Sequence, residues 1–230
     1  MITVRKSEDR GHARFGWLDS RHTFSFSSYH DPRFMGVSAL RVINQDIVAP
    51  HTGFPAHPHD NMEILTYVLR GAVSHRDSMG NEQRLPAGEF QLMSTGTGVT
   101  HSEYNRVNQP LELLQIWLYP DTQNSEPGYQ QKRFDETDGL QLVVSPDGEN
   151  GSLVIRQDAR IWHGRLSATA TAHHTFTGGT GGTGWVQVIG GQLHVNGNLL
   201  QSGDGAAIRQ EASLTFTALS DAEFLLFDLP

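Results

Sequence analysis

The sequence contains no cysteine among its 230 residues. This absence excludes disulfide scaffolds, thiolate zinc sites, iron–sulfur clusters and cysteine nucleophiles together. Lysine is almost as scarce, with only Lys6 and Lys132, and the formal net charge is −8. Because such a chain has no basic stripe for a phosphate backbone, we expect no direct contact with nucleic acid.

Long apolar runs are also missing. No stretch approaches the ~18 apolar residues that a membrane-spanning helix needs. The charged start of the chain, residues 1–17, has no apolar segment like that of a secretory signal. We therefore expect a cytoplasmic protein with no membrane partner. The length allows one large domain or two small ones, since domains usually hold ~100–200 residues.

The apolar residues that are present fall into short runs of strand length. Glycine-rich turns such as 79–81 and 196–198 separate them, and no segment of a dozen residues keeps a helical period. Many short strands joined by glycine turns predict an all-β fold built from barrels or sandwiches. The predicted strands cover residues 38–44, 63–69, 111–119, 140–144, 153–156, 185–189, 214–216 and 224–227.

A diverged internal repeat relates the two halves of the chain. Residues 68–75 resemble residues 188–195, and the glycines that they share, Gly71 and Gly191, lie 120 positions apart. A repeat of about half the chain length is typical of duplicated domains rather than of solenoids. We therefore expect two barrels in tandem.

The boundary between the two barrels is expected in the polar stretch 121–128. This prediction gives a first, metal-binding barrel over residues 1–122 and a second, degenerate barrel without metal over residues 123–230. The alternative is that the stretch is an ordinary long loop inside one domain.

Two histidine motifs carry the chemistry. His57 and His59 lie two residues apart, as do His101 and Glu103, and residues two apart in a strand share a face. Glu63 shares the parity of His57 and His59 if that strand continues in register. Two such strands side by side would gather three imidazoles and one or two carboxylates, a ligand set suited to iron(II), manganese, nickel, copper or zinc. The alternative is that the histidine pair is a coincidence on the surface.

The repeat offers an internal control on this interpretation. A shift of 120 positions places Thr177, Gly179 and Thr183 where His57, His59 and Glu63 stand in the first half. No histidine follows His194, so a counterpart of His101 is missing as well. We therefore expect one metal site, in the first barrel.

At these motifs the chain resembles the pirin family of the cupin superfamily, and most closely its bacterial branch described as quercetin 2,3-dioxygenases. The resemblance lies in Gly53-x3-His57-x-His59-x3-Glu63-x7-Gly71, Gly96-x-Gly98-x2-His101-x3-Asn105 and the segments 17–26, 77–81 and 93–103. It implies a bicupin, two double-stranded β-helix barrels in tandem.

The resemblance also implies the ligand set. It implies one divalent metal, iron(II) in the first place, held by His57, His59, His101 and Glu103. The general cupin pattern would select Glu63 as the carboxylate ligand, whereas the pirin pattern selects Glu103. We follow the pirin pattern and expect Glu63 to orient one of the imidazoles.

The function implied is a metal-dependent dioxygenase that opens the central ring of a flavonol such as quercetin and releases carbon monoxide. Its partners would be a small aromatic substrate and dioxygen, with Glu103 as the catalytic proton acceptor. One alternative is an iron-binding regulatory module that acts through a protein partner, as the family also implies. Another is a cupin isomerase or small-molecule binder with the same metal cage.

The remaining candidate side chains have less specific interpretations. We expect His75 and His194 to be strand residues at a barrel face rather than ligands, and His163 to be a surface or capping residue. Four apolar residues near the motifs either line an aromatic-sized pocket or belong to the core. They are Phe54, Met62, Phe90 and Met93.

Overall fold

The computed structural model describes residues 1–230, with the side chain of Thr180 excepted. The described chain consists of β-strands and three single 3₁₀ turns, Ser7–Asp9, Glu149–Gly151 and Gly179–Gly181. It contains no helix that is long and apolar enough to cross a membrane. The strands are β1 Ile2–Arg5, β2 Gly11–Arg14, β3 Leu18–His22, β4 Leu40–Val48, β5 Gly53–His59, β6 Glu63–Arg70, β7 Ala72–Asp77, β8 Glu82–Pro86, β9 Glu89–Ser94, β10 Val99–Tyr104, β11 Leu111–Leu118, β12 Gly128–Arg133, β13 Gly139–Ser145, β14 Leu153–Val154, β15 Arg160–Leu166, β16 Thr171–Thr175, β17 Thr183–Gly190, β18 Gln192–Val195, β19 Asn198–Gln201, β20 Gly205–Arg209, β21 Ser213–Ala218 and β22 Ala222–Leu229.

The strands form two barrels, each made of a seven-stranded and a four-stranded sheet. In the first barrel the sheet orders are β12-β9-β6-β11-β4-β3-β2 and β5-β10-β7-β8. In the second they are β1-β20-β17-β22-β15-β13-β14 and β16-β21-β18-β19. The repeated order reflects the duplication seen in the sequence, and the prediction of an all-β, two-barrel fold is confirmed.

The chain exchanges strands between the barrels at both ends of the first half. Strand β1 pairs with β20 of the second barrel, and β12, which follows the predicted linker, pairs with β9 of the first. The linker is held at its start, where Asp121 N donates to Arg156 O at 2.8 Å, and at its middle, where Ser125 O accepts from Thr97 N at 3.0 Å. The division at residue 122 stays a prediction about folding units.

The two seven-stranded sheets pack against each other through their outer faces. Leu114 and Ile116 of β11 belong to the same buried cluster as Leu225 and Phe227 of β22. Phe24 and Trp185 meet in this cluster with ring centroids 4.8 Å apart. Central strands are therefore buried on both faces, which explains why β11 and β22 read as nearly continuous apolar runs.

A polar contact centred on Glu223 links the two barrels. The carboxylate of Glu223 accepts a hydrogen bond from the Tyr67 hydroxyl at 2.6 Å, and its Oε1 lies 2.7 Å from His163 Nε2. His163 is only 5% exposed. The expectation of a surface or capping role for His163 is therefore wrong, because β15 turns this side chain toward the other barrel.

Candidate metal centre

Strands β5 and β10 bring the two histidine motifs together. They pair antiparallel with His57 opposite His101 and His59 opposite Val99. The ring centroids lie 4.8 Å apart for His57 and His59, 4.5 Å for His57 and His101, and 5.1 Å for His59 and His101. One nitrogen from each ring lies within 4.8 Å of the other two. Three imidazoles from two distant parts of the sequence therefore converge on one point.

The local sequence explains why β5 takes this position. It is an edge strand, where Pro55 and Pro58 remove no hydrogen bond from the middle of a sheet. A Cβ on Gly53 would lie 2.6 Å from the Tyr104 Cα of β10, so only glycine allows this close approach. Between His101 and Glu103 the register shifts against β5. Such bulges re-aim side chains and are frequent beside active sites.

A hydrogen bond orients the His57 ring, whereas the His101 ring has none among the described residues. His57 Nδ1 lies 2.7 Å from the carbonyl oxygen of Pro55, which can only accept, so Nδ1 carries a hydrogen and Nε2 is the nitrogen left for a metal. His101 is 3% exposed, and neither of its ring nitrogens has a hydrogen-bond partner among the described residues. An unpartnered buried ring of this kind calls for a ligand that the fold itself does not supply.

Burial keeps two of these rings neutral. It lowers the pKa of His59 to about 4, with a further contribution from His57. Burial, followed by the charges of the neighbouring histidines, lowers the pKa of His101 to about 3. Neutral imidazole is the form that binds a metal. The donor set therefore fits a divalent transition metal at neutral pH.

Glu103 lies beside His101 but on the inner side of the triad. Its carboxylate forms a second group with His101 and His75, all three within 4.8 Å through one ligand atom each. Gln115 Nε2 donates to Glu103 Oε2 at 2.6 Å, while Oε1 has no partner among the described residues. The structure thus joins Glu103 to His101 and does not join it to His57 and His59 in one group.

Burial, with a further contribution from the nearby Asp46 carboxylate, raises the pKa of Glu103 to about 7. Asp46 is itself buried, and this raises its pKa to about 6, although Ser20 donates a hydrogen bond to it. Two carboxyl groups with raised pKa values therefore lie near the histidines. Such a pair is a usual sign of a site where protons are moved or a cation is bound.

The raised pKa of Glu103 predicts how the metal-free protein responds to pH. The fold binds the Glu103 proton more tightly than the unfolded chain does, so stability falls as pH rises from about 4.5 to about 7. The full effect is on the order of 3 kcal/mol. The variant Glu103→Gln lacks this effect. It keeps the opposite effect of His59 and His101, which destabilise the protein as pH falls below 6.5.

Urea unfolding of the wild type and of Glu103→Gln, both freed of metal by a chelator, at pH 5 and pH 8 checks this prediction. The free energy of unfolding of Glu103→Gln, relative to that of the wild type, should be higher at pH 8 than at pH 5 by a few kcal/mol. A difference between the two proteins that is the same at both pH values would contradict it.

His75 is a neighbour of the site that the sequence interpretation missed. It faces Glu103 across the pairing of β10 with β7, and its ring centroid lies 5.4 Å from that of His101. Its side chain is fully buried, and Nε2 lies 3.0 Å from Asp77 Oδ2. The spacing of His75 and Asp77 in one strand was the available signal, since it repeats the two-residue parity of the other motifs.

Glu63 does not orient an imidazole, and that expectation is wrong. Its carboxylate accepts hydrogen bonds from Ser94 Oγ at 2.8 Å and from the backbone N–H of Arg156 at 3.3 Å. The strand that carries His57 and His59 ends at His59, and β6 begins at Glu63 in the other sheet. The chain turns between them at Asn61, whose φ is 47°, so the parity does not continue.

A cavity of about 330 Å³ opens beside the histidines. Its walls are largely aromatic or apolar, with Phe26, Phe54 and Trp117 near the rings, and the centroids of Trp117 and His59 lie 4.8 Å apart. Phe54 thus lines the pocket, whereas Met62, Phe90 and Met93 lie in apolar clusters outside its lining. The polar lining comes from Asn44, Asp46, His57, His59, His101, Glu103 and Gln115.

The second barrel keeps a histidine, His174, at one of the four corresponding positions and has apolar side chains at the other three. Strand β16 pairs with β21 as β5 pairs with β10, and His174 lies opposite Leu214 as His57 lies opposite His101. By the same register Phe176 replaces His59, and Phe216 replaces Glu103. The uniform shift to Thr177 and Gly179 was wrong by three residues, because the connection before β17 is longer than the one before β6.

Comparisons with known proteins agree with this architecture. The family model described as Pirin matches residues 3–118, and the one described as Quercetinase C-terminal cupin domain matches residues 142–229. The fold is thus a bicupin. The chain is 50% identical to "Quercetin 2,3-dioxygenase" of Escherichia coli K12, over 100% of this chain and 99% of that protein. It is 38% identical to the "Pirin-like protein YhaK" of the same organism, over 100% of both chains.

A solved structure extends the comparison to the site. The crystal structure of the bacterial pirin YhhW from Escherichia coli in complex with nickel(II) has a TM-score of 0.96 and 49% identity, and the match covers 100% of this chain and 99% of that one. That relative binds a divalent metal, and the histidine cluster described above has the donors for one. By sequence and by structure along its whole length, the chain belongs to the pirin family.

Proposed function

We propose that this protein is a metal-dependent dioxygenase that opens the central ring of a flavonol such as quercetin and releases carbon monoxide. The observation that carries the proposal is the convergence of His57, His59 and His101 at the wall of an aromatic-lined cavity, with Glu103 beside them. A few polar, metal-binding side chains at the wall of a largely apolar pocket of this size are typical of a small-molecule active site. The name of the 50% identical relative supports the same substrate class.

We further propose that His57, His59, His101 and Glu103 hold the metal. The unpartnered nitrogens of His101 and the unpartnered Oε1 of Glu103 support this set, since each is a buried donor atom with no other use in the fold. Iron(II) is our first choice of metal, and the nickel complex of the relative supports nickel as an alternative. Copper, manganese and zinc suit the same donors.

The chemistry divides between the metal and the protein. When bound, the metal supplies a Lewis acid that lowers the pKa of a flavonol hydroxyl and a centre at which dioxygen reacts. Glu103 accepts the hydroxyl proton, since its buried carboxylate lies beside His101 and its Oε1 has no partner among the described residues. Phe54 and Trp117 hold the flat rings and keep water away from the reacting carbons.

The second barrel is proposed to bind no metal. Phe176, Leu214 and Phe216 fill the positions that correspond to His59, His101 and Glu103, and all three are at most 2% exposed. Its interior is therefore a packed apolar core, and its seven-stranded sheet supports the first barrel from outside. The regulatory alternative with a protein partner and the cytoplasmic location stay predictions.

The test measures quercetin loss, dioxygen uptake and carbon monoxide release together, in protein that has been reconstituted anaerobically with iron(II). On adding oxygenated quercetin, we expect one dioxygen consumed and one carbon monoxide released for each quercetin lost, over many turnovers. Parallel samples with nickel, manganese, copper and zinc rank the metals. No turnover with any metal, despite one bound ion per chain, would overturn the dioxygenase proposal and favour the regulatory module.

A further inference from the structure

A row of polar side chains crosses the inner face of the first barrel's seven-stranded sheet. Thr66 lies opposite Gln115, Gln115 lies opposite Asn44, and Asn44 lies opposite His22. Directly opposed residues in antiparallel strands point to the same face, with Cβ atoms ~5 Å apart. The four side chains therefore form one line over β6, β11, β4 and β3, which begins beside Glu103, the partner of Gln115.

The row is buried, and burial of this kind is costly. Thr66 is 0% exposed, Gln115 8%, and Asn44 and His22 4% each. The adjacent row on the same face consists of Ile64, Trp117 and Val42. Polar groups away from water destabilise a fold unless they are hydrogen-bonded. A purely structural role would be served better by apolar residues of similar size.

Two atoms in the row have no hydrogen-bond partner among the described residues. They are Oδ1 of Asn44 and Nδ1 of His22. Gln115, in contrast, contacts Glu103 at 2.6 Å and Thr66 at 3.4 Å. Gln115 and Thr66 are therefore satisfied by the protein, and Asn44 and His22 are not. The row continues past Thr66 to Gln91 of β9, whose Nε2 also has no partner among the described residues, but Gln91 does not line the cavity at the histidines as Asn44 does. Unsatisfied buried groups that line a cavity point to a ligand there.

Asn44 connects two cavities. The cavity at the histidines and a second one of about 370 Å³ share Phe26, Asn44, Asp46 and Phe54 as wall residues. His22 lines the second cavity. His22 lies two strand spacings from Gln115, roughly 10 Å. A flat molecule of more than one ring could thus reach from the histidines to His22, between Phe26 and Phe54.

We propose that Asn44 and His22 form a specificity site that binds hydroxyl groups on the part of a polyhydroxylated flavonol farthest from the metal. This inference rests on the proposed function and deepens it, since it names which flavonols the site prefers. The ring attached to the central ring lies in the second cavity, and its hydroxyl groups satisfy the amide of Asn44 and the imidazole of His22. The flanking aromatic rings of Phe26 and Phe54 contact its faces.

The test compares quercetin with galangin, the flavonol that lacks hydroxyl groups on that ring. The variants are Asn44→Leu and His22→Phe, which keep approximate volume and remove the polar atoms. We measure kcat and KM, anaerobic binding of each flavonol to the iron-loaded protein, and metal content. The wild type should prefer quercetin about tenfold or more in kcat/KM and in binding, because a site built to hydrogen-bond rejects an analogue without the group.

In both variants the preference should fall to near one through a higher KM for quercetin, with metal content unchanged. His194→Phe on β18 of the second barrel is the matched control for His22→Phe and should keep the preference. A wild type without preference, or variants that keep it, would overturn the inference alone. Preferential binding without any turnover would support the specificity site while the dioxygenase proposal fails.

Discussion

His101→Ala is expected to bind no stoichiometric metal and to show no detectable flavonol turnover. His101 is the residue that both groups of potential ligands share, the one with His57 and His59 and the one with His75 and Glu103. Removing it leaves no set of three donors in which Glu103 takes part. Loss of even a residue behind a ligand usually costs 10–100-fold in metal affinity, so loss of a ligand should cost more. Elemental analysis after gel filtration and the carbon monoxide assay check the result.

A second substitution at the same position, His101→Leu, separates metal binding from folding. Because neither nitrogen of His101 is hydrogen-bonded in the metal-free fold, His101→Leu should keep the free energy of unfolding of the chelated protein within about 1 kcal/mol of the wild type. His173→Ala on β16 is the matched histidine control, since its side chain is exposed in the second barrel. Full metal content in either His101 variant would show that the ion is held elsewhere.

The parts of this site that the sequence predicted are those that depend on one strand at a time. The pairs His57 with His59 and His101 with Glu103 each lie within a single strand, where the two-residue period fixes a shared face whatever the rest of the fold does. The strands themselves were predictable because their apolar runs are bounded by glycine turns. What failed for Glu63 was an assumption about continuity, since the chain turns at Asn61 and enters the other sheet.

The parts that the sequence did not predict depend on register between distant strands. His22, Asn44 and Gln115 share no local pattern, and they form a row only because β3, β4 and β11 pair with these residues opposed. His163 gives no signal either, since its contact with Glu223 needs two strands of the second barrel in register beside Tyr67 of the first. Such contacts follow from topology, which a single sequence does not specify.

Glu103→Gln is expected to bind the metal more weakly and, at a metal concentration that fills its site, to lower flavonol turnover by at least 10²-fold. The amide retains an acceptor for Gln115 Nε2, so the packing around position 103 persists. It cannot accept a proton from the substrate, and loss of a positioned base commonly costs 10²–10⁴-fold. Flavonols absorb at longer wavelength when their hydroxyl is ionised. Anaerobically bound quercetin should therefore show the ionised spectrum in the wild type and the neutral spectrum in the variant.

Glu63→Gln is the matched control, because Glu63 is equally a buried glutamate of the first barrel and is the carboxylate that the general cupin pattern would select. Its hydrogen bonds to Ser94 and to the backbone of Arg156 lie away from the histidines. It should therefore keep metal content, the ionised spectrum and turnover close to those of the wild type. If Glu63→Gln loses the metal and Glu103→Gln does not, the carboxylate assignment is reversed and β6 must move toward β5 when the ion binds.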